Sequence, residues 1–185
     1  MIVDARGKFL TQRSLPRLAS IVPQLQPTTL RLCRENQPDL LLPRDPAALG
    51  GASVRVEIWK DTADAIDAGP EAAAWLEKAL GVPARLVRAT AATLRQPGEQ
   101  WRQGLAAPVN FPDAFPLLVC NEGSLAELNT RLPAALPMTR FRPNIVIDGL
   151  PAYAEDRISA LTTAGIELRL TKPCTRCSVP GVDQN

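Results

Sequence analysis

Proline is the residue that most restricts how this chain can fold. The sequence has 18 prolines in 185 residues, and they are spread along the chain rather than clustered. A proline lacks the backbone N–H and clashes with the preceding helical turn, so it ends or kinks a helix. Prolines distributed in this way favour short strands joined by tight turns over long helices.

Alternating apolar and polar residues mark several of these strands. In 54–60 (VRVEIWK), Val54, Val56 and Ile58 fall on one face and polar residues or Trp59 on the other, and 28–33 alternates in the same way. Such alternation is typical of an antiparallel sheet or barrel with one buried face. Further strands are predicted at 1–13 (a hairpin that turns at 6–7), 84–89, 115–120, 141–149 and 165–174.

Two segments carry clear helix signals. Residues 70–81 have Pro70 at the first helical position and Gly81 just past the end, with an apolar stripe between them. A second helix is predicted from an S-x-x-E capping box, Ser124 to Glu127, and Asn129 is its one plausible polar contact. The polar stretch 91–112 is expected to be a long surface loop or lid. The predicted fold class is mainly β with a few short helices (α+β).

Charge and composition exclude several function classes. Lys and Arg total 21 against 19 Asp and Glu, a net charge of +2, so nucleic acid is not expected as a partner. Aromatic residues make up 4%, too few for a base-stacking surface. No apolar run approaches the ~20 residues that span a bilayer, so no membrane partner is expected. No secretory signal pattern is visible, which favours a cytoplasmic protein with reduced thiols.

A C-x-x-C motif formed by Cys174 and Cys177 allows four interpretations: half a zinc site, a redox dithiol, a structural disulfide, or one functional thiolate. A zinc site needs four ligands, but the chain has no histidine, and Cys33 and Cys120 stand alone in apolar strand patterns. A redox dithiol usually lies at a helix N-terminus, whereas a Pro-Gly pair closely follows this motif. Reduced thiols make a structural disulfide unlikely to form.

One thiolate with basic neighbours is the remaining interpretation. Arg176 lies between the two cysteines and Lys172 lies just before them. Positive charge favours an ionised thiolate at neutral pH. A partly exposed thiolate of this kind suits a soft-metal site that carries an anionic cofactor.

A second candidate binding element lies in residues 140–144 (RFRPN). Arg140, Arg142 and Asn144 alternate at a predicted strand entry, where they could grip a phosphate or carboxylate. The alternative is a solvated strand edge on which an arginine pairs with Glu155 or Asp156. Composition alone favours this alternative.

Four segments in the second half of the chain occur in a specific order. They are FPLLVCNEGSLAELNTRL (115–132), MTRFRPNIVIDG (138–149), YAED (153–156) and KPCTRCSVPGVDQ (172–184). Together they resemble the MOSC family, named for the molybdenum-cofactor sulfurase C-terminal domain, and in particular bacterial MOSC oxidoreductases and the mitochondrial amidoxime-reducing component. The earlier segments 3–21 and 67–88 resemble the β-barrel domain that precedes MOSC in those proteins.

The resemblance implies a two-domain organisation. Residues 1–90 would form a MOSC N-terminal β-barrel domain without its first strands. Residues 91–185 would form an incomplete MOSC β-barrel without its C-terminal strands. The chain is therefore expected to be shorter than its family at both ends, and a truncated form unable to bind cofactor alone is one alternative.

The resemblance also implies a cofactor and its ligands. The family binds a molybdenum ion through the dithiolene of a pyranopterin, and the second cysteine of the motif, here Cys177, would be the metal ligand and catalytic residue. Cys174 would have no ligand role. The implied cofactor-binding side chains are those of Arg142, Asn144, Thr175 and Arg176. The backbone near Asp113, Ala114 and Phe115 would also pass close to the cofactor.

The activity implied by the resemblance is a metal-centred two-electron reduction of a small N-hydroxylated substrate. A separate protein would donate the electrons, because the chain carries no iron–sulfur tail. The family also brings an association with pyridoxal phosphate binding. From a different class, the alternative is a non-catalytic carrier or binding module that passes sulfur or cofactor to other enzymes.

Overall fold

A computed structural model of the chain describes residues 1–91, 93–102 and 104–182. The described residues form two compact units, one made of 1–95 with 108–111 and the other of 96–107 with 112–182. Both units contain strands and only short helices, so the predicted mainly β class is confirmed. Within the described ranges no helix is long and apolar enough to cross a membrane. The domain bounds 1–90 and 91–185 remain a prediction, and the end of the KPCTRC segment at 183–184 lies outside the described residues.

The first unit consists of two antiparallel sheets and two helices. One sheet has four strands in the order β1-β7-β6-β5 and the other has three in the order β2-β3-β4. The elements are β1 (Ile2–Val3), β2 (Val22–Leu25), β3 (Thr29–Arg34), β4 (Gln37–Pro43), α1 (Pro46–Leu49), β5 (Ser53–Ile58), β6 (Asp61–Asp67), α2 (Pro70–Leu80) and β7 (Arg85–Ala89), with a 3-10 turn at Pro16–Ser20.

The predicted alternation in β5 is confirmed by its burial. Val56 and Ile58 are buried in a core cluster with Val3 and Val87, while Val54 packs at the edge of that cluster. The polar residues between them face outward. Fully burying a side chain of this size stabilises the fold by about 1.5–3 kcal/mol, which explains why the pattern fixes the orientation of this strand.

Helix α2 begins and ends where its capping residues predict. Pro70 is its first residue, and Gly81 closes it in the left-handed region with φ +73° and a backbone N–H bond to Glu77. Its apolar stripe is buried, with Leu76 and Leu80 at the centre of a second core cluster. This helix therefore covers the side of the first unit formed by β7 and the early loop residues.

The first hairpin turn requires a glycine. Gly7 has φ +88°, and a Cβ atom at this position would lie 2.6 Å from the carbonyl oxygen of Arg55. Beyond the turn, Phe9 forms an antiparallel bridge with Val3, which confirms the predicted hairpin. The Phe9 N–H also donates to the carbonyl of Glu57 at 3.0 Å, so the hairpin is held against β5.

The stretch 91–112, predicted to be a surface loop or lid, is partly core. Thr93, Arg95 and Val109 are buried, and Arg95 forms an antiparallel bridge with Val109. Arg95 also donates to Asp61 on β6, with Nε 3.1 Å and Nη2 2.9 Å from Oδ2. The prediction was wrong here because a buried arginine with a carboxylate partner has the same polar signature in sequence as a solvated one.

The second unit combines a parallel strand pair with an antiparallel hairpin. Its elements are α3 (Glu99–Arg102), β8 (Val119–Asn121), α4 (Glu122–Asn129), β9 (Ile145–Ile147), β10 (Ala160–Thr163) and β11 (Ile166–Arg169), with 3-10 turns at Met138–Phe141, Ala154–Arg157 and Val179–Gly181. Strands β8 and β9 pair in parallel, and β10 pairs with β11. The strands predicted at 115–120, 141–149 and 165–174 are present but shorter, and β10 was not predicted.

The predicted capping box of the second helix is wrong. Asn121 is the N-cap of α4, and its Oδ1 accepts from the N–H of Gly123 at 3.0 Å. Ser124 lies inside the helix and donates to Glu155 instead, at 2.6 Å. Asn129 also has a structural contact, because its side chain bonds both the N–H and the carbonyl of Leu136.

Candidate functional site

The C-x-x-C motif lies in an irregular loop that follows β11. Cys174 and Cys177 are free and exposed, and Thr175 and Arg176 between them are exposed as well. The Cys174 thiol donates a hydrogen bond to the carbonyl of the next residue, Thr175, at 3.8 Å. Between the motif and residue 182, the last described residue, the chain forms a 3-10 turn at Val179–Gly181 and no α-helix.

Arg176 joins this loop to two other parts of the second unit. Its Nη2 donates to Sγ of the buried Cys120 on β8 at 3.4 Å, and its guanidinium carbon lies 5.5 Å from the ring centre of Phe141. Phe141 belongs to the 3-10 turn Met138–Phe141, which packs against Val179–Gly181. The structure thus brings together the C-x-x-C loop and the FRPN segment, although 56 residues separate Arg176 from Cys120.

The FRPN segment leads into β9, as predicted, but it lacks the alternating strand geometry that the sequence suggested. Arg142 is exposed and caps the 3-10 turn in the left-handed region, with φ +53°. Asn144 precedes β9, and its Oδ1 accepts from the N–H of Leu118 at 2.9 Å. The N–H of Asn144 donates to the carbonyl of Leu118, also at 2.9 Å. Asn144 therefore holds the entries of β8 and β9 together, whatever else it contacts.

Replacing Asn144 by alanine should lower the free energy of unfolding by about 1 kcal/mol, because the N–H of Leu118 loses its side-chain partner. Asn144→Asp keeps the accepting oxygen and should recover most of this loss. The midpoint of urea unfolding measures both variants. A destabilisation that is equal in the two would show that the Leu118 contact does not contribute.

The sequence named Glu155 only as an alternative partner for an arginine of residues 140–144, and the structure gives this carboxylate other contacts. Glu155 of the YAED segment accepts from Ser124 Oγ at 2.6 Å and from Asn121 Nδ2 at 3.1 Å. Burial alone would raise the pKa of Glu155, but these hydrogen bonds and the charge of Arg176 outweigh burial, so the pKa lies below the usual value. Glu155 is therefore a carboxylate at neutral pH.

The pKa of Cys120 is shifted in the opposite direction to that of Glu155. Burial raises the pKa of the Cys120 thiol, and the nearby Arg176 lowers it only in part. Cys120 is therefore a neutral thiol that accepts a hydrogen bond from Arg176. The sequence placed Arg176 as the cation that ionises a cysteine of the motif, whereas the hydrogen bond that the structure gives its guanidinium goes to this buried sulfur.

The remaining predicted positions belong to the same unit as the cysteine loop. Ala114 and Phe115 are half-buried in the irregular segment that leads into β8. Lys172, just before the motif, places its ammonium 5.1 Å from the ring centre of Trp101 on α3. The polar stretch around α3 thus reaches the cysteine loop, which no pattern in the sequence indicated.

The available donors fit a metal that arrives with most of its own ligands. Across residues 1–91, 93–102 and 104–182 there is no group of three or more His, Cys, Asp or Glu side chains that could hold an ion. The cysteine loop offers exposed thiols instead, and the cationic Lys172 and Arg176 belong to the same loop. One thiolate ligand with nearby cations suits a soft metal bound within an anionic organic molecule.

Comparison with known protein families identifies two domains in this chain. The chain matches the MOSC N-terminal beta barrel domain over residues 1–83 and the MOSC domain over residues 106–185. The two matches together span most of the sequence. The chain therefore belongs to the MOSC family, as its motifs predicted.

Sequence similarity to curated relatives covers nearly the whole chain. It is 33% identical to the mitochondrial amidoxime-reducing component 1 of Mus musculus and 32% identical to that of Homo sapiens, over 99% of this chain and 54% and 55% of those proteins. It is 29% identical to the molybdenum cofactor sulfurase of Danio rerio over 100% of this chain and 24% of that protein. The chain thus spans about half the length of the amidoxime-reducing components.

A solution structure from Bordetella bronchiseptica is also similar, with a TM-score of 0.44 and 26% identity over 49% of this chain and 70% of that chain. The family assignment rests on the domain matches instead. The relatives' names refer to mitochondria and to the molybdenum cofactor, not to pyridoxal phosphate or the cytoplasm. The expectations of pyridoxal phosphate binding and a cytoplasmic location therefore have no support here.

Proposed function

We propose that this chain binds the molybdenum cofactor through Cys177 and takes part in the reduction of small N-hydroxylated compounds. The observation that carries the proposal is the meeting of the C-x-x-C loop with the FRPN turn, where Arg176 lies over Phe141. The names of the amidoxime-reducing relatives support the substrate class. When bound, the metal would supply the two-electron chemistry.

The roles of the chain's own residues follow from their exposure and chemistry. Cys177 offers the exposed thiolate ligand. Arg142 is exposed beside the turn, and its guanidinium suits a phosphate group. Asn144 uses its oxygen for Leu118, which leaves its amide N–H groups to donate to the pterin. Thr175, Arg176 and the backbone of Ala114 and Phe115 would complete the lining of the cofactor.

The source of protons and electrons lies outside these side chains. The chain has no histidine, so it offers no imidazole to shuttle protons, and water would supply them. Electrons would come from a separate donor protein. The chain's role in this scheme is to bind, orient and shield the cofactor.

The test is to purify the chain from cells that make the cofactor and to measure its molybdenum by elemental analysis. The same preparation is assayed for reduction of an aryl amidoxime with a chemical electron donor. Stoichiometric molybdenum with amidoxime reduction is the expected result. A chain that folds cooperatively but contains no molybdenum would contradict the proposal.

A sulfur carrier is the second candidate, because both motif cysteines are exposed thiols and one relative is a molybdenum cofactor sulfurase. A carrier would hold a persulfide on one of these cysteines and would show no amidoxime reduction. Intact-protein mass spectrometry detects the added sulfur atom, and its loss on reduction distinguishes a persulfide from other adducts. A persulfide without bound molybdenum would favour the carrier over the reductase.

A further inference from the structure

The docking of Arg176 on strand β8 gives the cysteine loop a fixed point within the second unit. Cys120, which accepts its hydrogen bond at 3.4 Å, is 7% exposed. A thiol is a weak acceptor, so this contact alone would hold a long, exposed arginine poorly. The ring of Phe141 adds a second contact on the face of the guanidinium. A negative charge close to β8 would strengthen this docking, because Arg176 is cationic.

Glu155 places a negative charge beside the same strand. Its two carboxylate oxygens accept from Ser124 and from Asn121, the strand residue next to Cys120. Both donors are neutral, and none of the ion pairs described in the structure includes Glu155. The carboxylate thus keeps its negative charge beside β8, where Arg176 contacts Cys120 and Glu155 contacts the adjacent Asn121. The charge of Arg176 also contributes to lowering the pKa of Glu155.

The position of Glu155 is determined by the packing around it. Asn121 is 1% exposed, and its Nδ2 also donates to the carbonyl of Pro151 at 2.8 Å. The N–H of Tyr153 donates to Ser124 Oγ at 2.8 Å. A Cβ atom on Gly123 would lie 2.6 Å from the carbonyl oxygen of Leu150. The start of α4 therefore needs a glycine to approach the segment that carries Glu155.

We propose that Glu155 is a positioning residue for Arg176. Its fixed charge attracts the guanidinium towards β8, Cys120 and Phe141 receive it there, and the loop that carries Cys177 is held in its binding conformation as a result. Opposite charges attract over several ångströms, and the attraction is stronger where protein replaces part of the water between them. The proposal rests on the proposed function only where it takes Cys177 as the molybdenum ligand.

The test compares Glu155→Gln with Asp156→Asn, which removes the same charge from the neighbouring exposed residue. Molybdenum per chain should fall about tenfold in Glu155→Gln, the size of loss typical when a residue that orients a metal ligand is replaced. The rate of Cys120 alkylation by N-ethylmaleimide, followed by peptide mass spectrometry, should change several-fold, because Arg176 both covers the sulfur and favours its thiolate form. Asp156→Asn should match the unmodified protein in both measurements.

The two measurements separate the possible failures. If the unmodified protein binds no molybdenum, the proposed function fails, but the Cys120 alkylation rates still decide whether Glu155 positions Arg176. If Glu155→Gln matches Asp156→Asn in both measurements, the positioning role is overturned. An effect that is equally large in Asp156→Asn would also overturn it, because general loss of charge would then be sufficient.

A second pair of variants applies if Glu155→Gln does not melt cooperatively. Cys120→Ser keeps an acceptor for Arg176, whereas Cys120→Ala removes it, and both leave the contacts of Glu155 in place. Molybdenum retained in the serine variant and lost in the alanine variant would support the docking of Arg176. Equal molybdenum in the two variants would overturn it.

Discussion

Replacing Cys177 by serine should lower the molybdenum content of the purified protein about tenfold or more, whereas Cys174→Ser should leave it nearly unchanged. A serine hydroxyl is not ionised at neutral pH and is a harder ligand than a thiolate, so it binds a soft metal poorly. Loss of a direct ligand should cost at least as much as the 10–100-fold typical of the residues that support one.

The two serine variants are matched because both cysteines are exposed in the same loop. Neither replacement opens a cavity in the core, so the two melting temperatures should agree with that of the unmodified protein. Elemental analysis of all three proteins is the measurement. Equal molybdenum in the unmodified protein and Cys177→Ser would disprove the ligand assignment, and a larger loss in Cys174→Ser would identify the other sulfur as the ligand.

Replacing Asp61 by alanine should lower the free energy of unfolding by about 3 kcal/mol, because it leaves the charge of Arg95 buried without its carboxylate. The side chain of Arg95 is 7% exposed and that of Asp61 is 36% exposed, and two N–H groups reach the same oxygen. For a chain of this length, this loss corresponds to a decrease in melting temperature of roughly 6–12 °C.

Asp64 on the same strand provides the control for this prediction. Its pair with Arg55 is 3.6 Å long, and the side chains of Arg55 and Asp64 are 68% and 56% exposed. Asp64→Ala should therefore cost less than about 1 kcal/mol. Urea unfolding measures both variants. Equally mild losses in Asp61→Ala and Asp64→Ala would contradict this prediction and would mean that the other contacts of Arg95, such as the Asn110 carbonyl at 3.3 Å, are sufficient.

The elements that sequence predicted well are those whose signals are local. Helix α2 carries both of its end signals in its own residues, Pro70 and Gly81, and β5 shows its buried face by alternation. The start of α4 was mispredicted because Ser124 has a better partner in Glu155, 31 residues away. A capping pattern describes only the neighbours of a residue in the chain, so it cannot register a distant competitor.

The candidate site shows the same division. The motifs and their order identified the family and predicted which loops matter. The contacts that hold those loops are long-range: Arg176 reaches Cys120, and Asn144 reaches Leu118 across 26 residues. Cys120 is an isolated cysteine and Asn144 is an asparagine beside a proline, and residues of either type can have several structural roles. Only the three-dimensional arrangement distinguishes those roles.

The parallel pairing of β8 with β9 has a consequence for how this chain tolerates added residues. Parallel strands require a long crossover, and here α4 is followed by a loop whose ends Asn129 and Leu136 clasp through two hydrogen bonds. Residues 133–135 lie in the loop between these two residues and are exposed. A peptide inserted there would extend from a loop whose ends are joined by two hydrogen bonds, so it would not alter the register of β8 and β9. This loop is therefore a suitable place for an epitope or fluorescent label.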